Sequence, residues 1–212
     1  MNYYCDFDAC RKQGVVFFLL LVLLMQPVGA QSYADARDFL SVLIDDVVSE
    51  IKINDAVYRE DTEKLYDLID ERIVSSVDME LFGKLTLGGH WNSASETQRL
   101  MFTNALRRTM VRSYGKSLLL LSNVEKIDYP LPDTTKQTRY QIVRTMLFFV
   151  GGQAPVSINY AMLFKEDRWV VFDLIVDGLS VGKQFRQNFD IEIKDKGLDA
   201  LITRLAGDAA SL

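Results

Sequence analysis

The chain has 212 residues, 49% of them hydrophobic and 25% charged, with a formal net charge of −5. Its 24 basic residues face 29 acidic ones without any basic block, which argues against nucleic acid as a partner and against constitutive docking on anionic lipid. One His, and two Cys confined to the first ten positions, leave no set of metal ligands at a recognisable spacing.

Residues 1–30 read as an export signal. Arg11 and Lys12 give a basic flank, and Val15 to Met25 is apolar throughout but falls well short of the roughly 20 residues that cross a bilayer. Val28-Gly29-Ala30 then supplies small residues at the −3 and −1 positions of a cleavage site. No Cys stands there, so a lipoprotein anchor is not expected. Cleavage removes both Cys5 and Cys10, together with two bases and two acids (Arg11, Lys12, Asp6, Asp8), so the net charge is unchanged. The expected mature protein, residues 31–212, is one cysteine-free domain that its core must hold together without disulfides.

Phe39, Leu40, Leu43, Ile44, Val47, Val48 and Ile51 recur at three- and four-residue spacing, the mark of a core-facing helix. A more polar helix is expected over Glu60 to Val74, with Leu65, Leu68, Ile69 and Ile73 inward. Asp78 to Leu87 reads as a short helix stopped by Gly88-Gly89, since glycine tolerates the left-handed position that ends a helix. Ser95 has Gln98 three residues on, a capping box that opens a helix running to Tyr114 and ending at Gly115.

Beyond Gly115 the period changes. Leu118 to Leu121 is a helical or connecting run, and Val124 to Tyr129 begins strand-like alternation that Pro130 and Pro132 interrupt. Tyr140 to Val150 is rich in β-branched and aromatic residues, and Gly151-Gly152 makes a hairpin turn. Val156, Ile158, Tyr160, Met162 and Phe164 alternate with polar residues, a strand with one buried face. Glu166-Asp167-Arg168 turns into another strand, Trp169 to Val176. Two helices follow, about Leu179 to Lys194 and Leu198 to Ala206. Helices, an antiparallel meander, then helices again predict an α+β fold in one unit.

No catalytic constellation emerges. Gly178-Leu-Ser-Val-Gly182 matches G-x-S-x-G after a strand and before a helix, yet no His follows Ser180 and the sheet reads as antiparallel. Ser180 is better explained as a helix cap. Gly115-Lys116-Ser117 imitates the end of a P-loop, but Met110 stands where its first glycine belongs. Asp173 and Asp177 would lie about 13 Å apart along a strand, too far for one proton relay, so structural capping or surface pairing is expected of them. What remains is apolar. Phe102, Leu106, Met110 and Tyr114 form a four-residue stripe, and Tyr160, Met162, Phe164, Trp169, Val171, Phe172, Leu174 and Ile175 come from neighbouring strands. The pattern alone favours ordinary core over a ligand pocket. Met79, Met101, Met110, Met146 and Met162 would suit adaptable contact with acyl chains, but methionine also fills gaps in ordinary cores.

Four motifs in combination change that balance: Leu87-Gly88-x-x-Trp91, Arg112-x-Tyr114-Gly115, Phe172-Asp173-x-x-x-x-Gly178-x-Ser180 and Gly197-Leu-Asp-Ala-Leu201. Together they resemble the MlaC phospholipid-binding (toluene-tolerance) family, closely over residues 77–120 and 167–205 and loosely over the rest of the expected mature chain. Departures are Ser75 and Glu96, where members often carry proline. The resemblance implies a twisted antiparallel sheet of the nuclear transport factor 2-like type wrapped by helices, with an apolar cavity between sheet and helices. It implies a periplasmic carrier that shuttles lipid between an outer-membrane lipoprotein/porin complex and an inner-membrane MCE-type ABC transporter complex, maintaining outer-membrane lipid asymmetry. The cargo would be diacyl phospholipid, with no cofactor, no metal and no catalytic residue. Under this reading the lipid-lining residues are Phe82, Leu85, Trp91, Phe102, Leu106, Met110, Tyr114, Tyr160, Met162, Trp169, Phe172 and Ile175. The alternative is a cone-shaped α+β enzyme, an isomerase or hydrolase, acting on an apolar small molecule; the lack of a dyad or of a His near the sheet speaks against it.

The export reading makes a direct prediction. Protein recovered from the periplasmic fraction should begin at Gln31 by intact mass, and retention of residues 1–30 would contradict it.

Overall fold

The computed structural model describes residues 33–131 and 138–211, so the expected signal segment and Pro132 lie outside the described residues. The first helix, α1 (Tyr33–Glu60), buries Leu40, Val47, Val48 and Ile51 along the predicted stripe, while Val42 and Ile53, off that stripe, face solvent. It departs from helical geometry at Asn54, whose φ is −111° and ψ 21°. α2 is shorter than the periodicity predicts. It covers Thr62–Leu68 and widens into a π turn at Ile69–Ile73, followed by a 3-10 turn at Val74–Ser76. The inner residues Leu65, Leu68 and Ile69 are buried as expected. A π turn adds a residue to the repeat, and a 3.6-residue periodicity carries no sign of it.

Local chemistry sets the next boundaries. α3 (Met79–Leu87) begins where the Asp78 carboxylate accepts the Leu81 N–H at 2.9 Å, and it stops at Gly88, whose φ of +55° a β-carbon would resist. The other Asp78 oxygen holds the Lys165 ammonium at 3.0 Å, and this hydrogen bond raises the Lys165 pKa above its ordinary value. After α4 (His90–Ser93), the predicted capping box opens α5 (Glu96–Tyr114). The Ser95 hydroxyl accepts the Gln98 N–H at 3.1 Å, and the Gln98 amide oxygen accepts the Ser95 N–H at 3.0 Å. A 3-10 stretch, Gly115–Asn123, leads into the sheet.

The sheet is an antiparallel meander in chain order: β1 (Val124–Asp128), β2 (Tyr140–Phe149), β3 (Val156–Lys165), β4 (Arg168–Val176) and β5 (Leu179–Ser180). β1, at one edge, is irregular between Val124 and Lys126. Gly151 and Gly152 both have positive φ in the β2–β3 turn. Glu166 and Asp167 adopt the same sign at +51° and +59° in the two-residue β3–β4 turn, the twist that brings antiparallel strands together. α6 (Val181–Lys196) and α7 (Leu198–Ser211) complete the chain. The predicted α+β architecture is therefore the observed one, with five antiparallel strands and seven α-helices among the described residues.

One face of the sheet is covered by α1. Ala36 and Leu40 pack with Val143, Met162, Trp169 and Val171, and Val48 with Val124 and Leu147. A bulge at Phe172 decides what the other face carries. Met162 pairs with Val171 and Ala161 with Asp173, so Phe172 is an extra residue in β4, and Asp173 turns away from the face that holds Val171. Asp173 is buried there. Its Oδ2 accepts the Ser180 hydroxyl at 2.5 Å, and its Oδ1 accepts the Gly182 N–H and its own neighbour's, Leu174 N–H, each at 2.9 Å. A β-carbon at Gly182 would stand 2.4 Å from Leu85 Cδ2, so glycine is what lets α6 approach α3 this closely.

Asp173→Ala should lower stability by about 2–3 kcal/mol, because it strands the buried Gly182 N–H and frees Ser180 from its acceptor. Denaturant midpoints of the two proteins give the measurement.

Candidate functional site

The inner face of α6 repeats every four residues: Val181, Phe185, Phe189 and Ile193 all join the cluster formed by α3, α4, α5 and α7. Four-residue spacing stacks them along one side of the helix. The rings form a connected series. Phe102 meets Phe189 edge to face with centroids 5.8 Å apart, Phe189 meets Phe185 at 5.3 Å, and Phe185 meets both Phe82 at 6.4 Å and Tyr114 at 6.5 Å. All four separations lie within the range of favourable aromatic pairing. The series starts at a fully buried ring, Phe102, passes through half-buried Phe185 and ends at Tyr114, which is 56% exposed. It is a continuous apolar path from core to surface.

The twelve residues expected to line a lipid cavity fall into several places. Phe82, Trp91, Phe102 and Leu106 are buried in the helical cluster, with Met110 packed against it. Met162 and Trp169 are buried under α1, with Tyr160 partly so. Ile175 pairs with Asn159, on the same side of the sheet as the Ala161–Asp173 pair, and Phe172 occupies the bulge beside the Tyr140 ring, 5.8 Å away. Leu85 is wedged against Gly182. Met162 and Met110, both in the expected lining set, sit in separate clusters, because α1 and not α5 covers the face of β3 that carries Met162. Leu85, Met110, Tyr114, Tyr160, Phe172 and Ile175 are the accessible or half-buried members. A side chain already packed on all sides has no surface to offer a ligand, and of these six Tyr160 lies on the α1-covered face with Met162. Tyr160 is in apolar company there: burial pushes its phenol well above the ordinary tyrosine range.

Phe185 and Phe189 are absent from the predicted set, although their four-residue spacing was legible. The resemblance motifs have local explanations. Trp91 is buried beneath the Arg99 guanidinium, 5.3 Å from its ring, and its carbonyl accepts from Arg99 Nε at 2.9 Å. Arg112 lies over the Tyr66 ring at 5.1 Å and pairs with Glu63 at 3.1 Å.

The polar groups are engaged structurally. Ser180 caps α6 by accepting the Lys183 N–H at 3.1 Å while its proton goes to Asp173, so the G-x-S-x-G match is a helix start. Of the two outcomes expected for Asp173, structural capping holds, since it is buried and not a surface ion pair. His90 is far along the chain from Ser180 and contacts Asp190, with Nε2 2.8 Å from Oδ1. Among the described residues no three His, Cys, Asp or Glu side chains converge as a metal-binding group. No described helix is long and apolar enough to cross a membrane.

Comparison with known proteins adds four findings. The family model described as MlaC protein matches residues 42–207. The chain is 23% identical over 168 residues to the intermembrane phospholipid transport system binding protein MlaC of Haemophilus influenzae, covering 78% of each chain. It is 23% identical over 197 residues to the toluene tolerance protein ttg2D of Pseudomonas putida, covering 91% of this chain and 89% of that one. Among solved structures, a phospholipid-binding protein from Ralstonia solanacearum in complex with a phospholipid superposes with a TM-score of 0.76. At 22% identity it covers 84% of this chain and 98% of its own, a likeness of fold.

Three substitutions follow. Ser180→Ala should cost about 1–2 kcal/mol through loss of the cap and of one donor to Asp173, while any ligand binding stays intact; a melting curve beside a binding assay separates the two. Met162→Arg should unfold the protein, because it puts an unpaired cation where the side chain is fully buried. Met110→Arg should leave a folded protein, because its half-buried position lets the guanidinium reach water. Thermal melting of both variants is the check.

Proposed function

Because the chain belongs to the MlaC family, we propose that it is an exported carrier that binds diacyl phospholipid and moves it through the periplasm, with no chemical step. The observation that carries this reading is the series of rings from Phe102 to Tyr114, an apolar path that reaches solvent, with no nucleophile and base brought together beside it among the described residues. Each CH₂ removed from water is worth about 0.8 kcal/mol, so two acyl chains need a long apolar surface and no reactive group. Leu85, Met110, Tyr114, Phe172 and Ile175, with Phe185 added, are the side chains we assign to the acyl contacts, while Tyr160 stays with Met162 on the face that α1 covers. The buried Phe82, Trp91, Phe102, Leu106, Met162 and Trp169 support them from behind, and the acyl chains would spread the half-buried group apart on entry.

In this reading residues 1–30 are removed on export, and residues 31–212 form the single working domain. Its partners are an inner-membrane ABC transporter complex of MCE type and an outer-membrane lipoprotein/porin complex, between which the carrier would keep outer-membrane lipids asymmetric. The acidic net charge fits a carrier that does not linger on anionic bilayers. Native mass spectrometry of protein purified gently from cells, followed by lipid extraction, is the test. A bound diacyl phospholipid is the expected result; protein that is empty and cannot be loaded would overturn the reading.

A further inference from the structure

The outer face of α6 carries Lys183, Arg186, Gln187 and Asp190, which with Leu87, Gly89 and His90 line a groove of about 590 Å³ beside the end of α3. In a chain of net charge −5, this groove is cationic. Neither Lys183 nor Arg186 forms an ion pair with another described residue. The one acid in the groove is already spoken for: Asp190 Oδ1 is 2.8 Å from His90 Nε2, and Oδ2 is 2.7 Å from the Lys194 ammonium. The Lys194 hydrogen bond, then that of His90, holds the Asp190 carboxyl below its usual range. The charge left unmatched belongs to Lys183 and Arg186.

Arg186 is also placed. A β-carbon at Gly88 would fall 2.4 Å from its Nε and 2.8 Å from its Cζ, so the guanidinium lies against bare backbone at the left-handed end of α3. A guanidinium carries paired N–H donors in a planar fork, the geometry that phosphate oxygens match, and a neighbouring ammonium adds a point charge. The Gln187 amide supplies a neutral donor on the same rim.

We propose that this groove is a phosphate-binding site that takes the phosphate of a phospholipid headgroup or free phosphate, with Arg186 and Lys183 as its ligands. The headgroup version rests on the carrier reading. The residue before Arg186 is Phe185, the branch point of the ring series, so one turn of α6 would hold acyl chains on its inner side and phosphate on its outer side.

Isothermal titration of the exported protein, stripped of any bound lipid, with inorganic phosphate at low salt to limit screening tests the site. Wild type should bind saturably. Lys183→Gln combined with Arg186→Gln should weaken binding by about tenfold or more, since both charge-assisted contacts are gone, with the thermal midpoint unchanged because both side chains are exposed. Arg186→Lys, which keeps charge but loses the fork, should fall between the two. Equal phosphate binding by wild type and double variant would overturn the site. If the double variant also leaves cells with less bound phospholipid, the phosphate is the cargo's own; if lipid content holds while phosphate binding is lost, the site takes phosphate from outside. Lipid in the wild type by mass spectrometry judges the carrier reading separately from either result.

Discussion

The carboxylate of Asp173 lies buried on the side of β4 away from α1, and it receives the Ser180 hydroxyl and the Gly182 N–H together. That pair of bonds fixes where β5 ends and α6 starts. Everything on α6 inherits the setting: Phe185 and Phe189 reach the rings of α3 and α5 on one side, and Lys183 and Arg186 reach the end of α3 on the other. A buried acid is costly unless its oxygens are satisfied, and here backbone and hydroxyl donors do so without a countercharge. The bulge at Phe172 is what turns Asp173 to that side. A regular β4 would have carried Asp173 onto the face that α1 covers, among Leu40, Met162 and Trp169.

The fold separates two kinds of apolar surface. Between α1 and the sheet the side chains are closed in, as Leu40, Val143 and Met162 show by having no exposure. Around Phe185 they grade from buried to open within a few ring contacts. Close packing gives rigidity and a single arrangement; graded packing leaves side chains that can move without dismantling the rest. A carrier needs both, one to remain folded when empty and the other to admit cargo.

Elements governed by neighbours in sequence were legible in the sequence. The Ser95–Gln98 box, the Gly88 stop, the Gly151-Gly152 turn and the Ser180 cap all stand where local rules put them, since each is decided within a few residues. Features decided by distant contacts were not. The π turn at Ile69 and the bulge at Phe172 leave no mark on periodicity, and the docking of α1 over Met162 depends on the sheet it meets. Periodicity reports which face of an element avoids water, but a filled core and a cavity wall avoid it equally. That is why half of the expected lining set is closed in, and why Phe185 and Phe189 passed as ordinary helix residues.

The edges of the sheet have a further consequence. β4 is paired on its outer side at Ile175 and Val176 by the two residues of β5 and at Val171 by the bridge to Val77. β1 is short, is irregular between Val124 and Lys126, and carries exposed Glu125 and Lys126. Interrupted, charged strands make poor templates for further strands. The open sides of the sheet are thereby protected against pairing with further copies of the chain and stacking into fibrils.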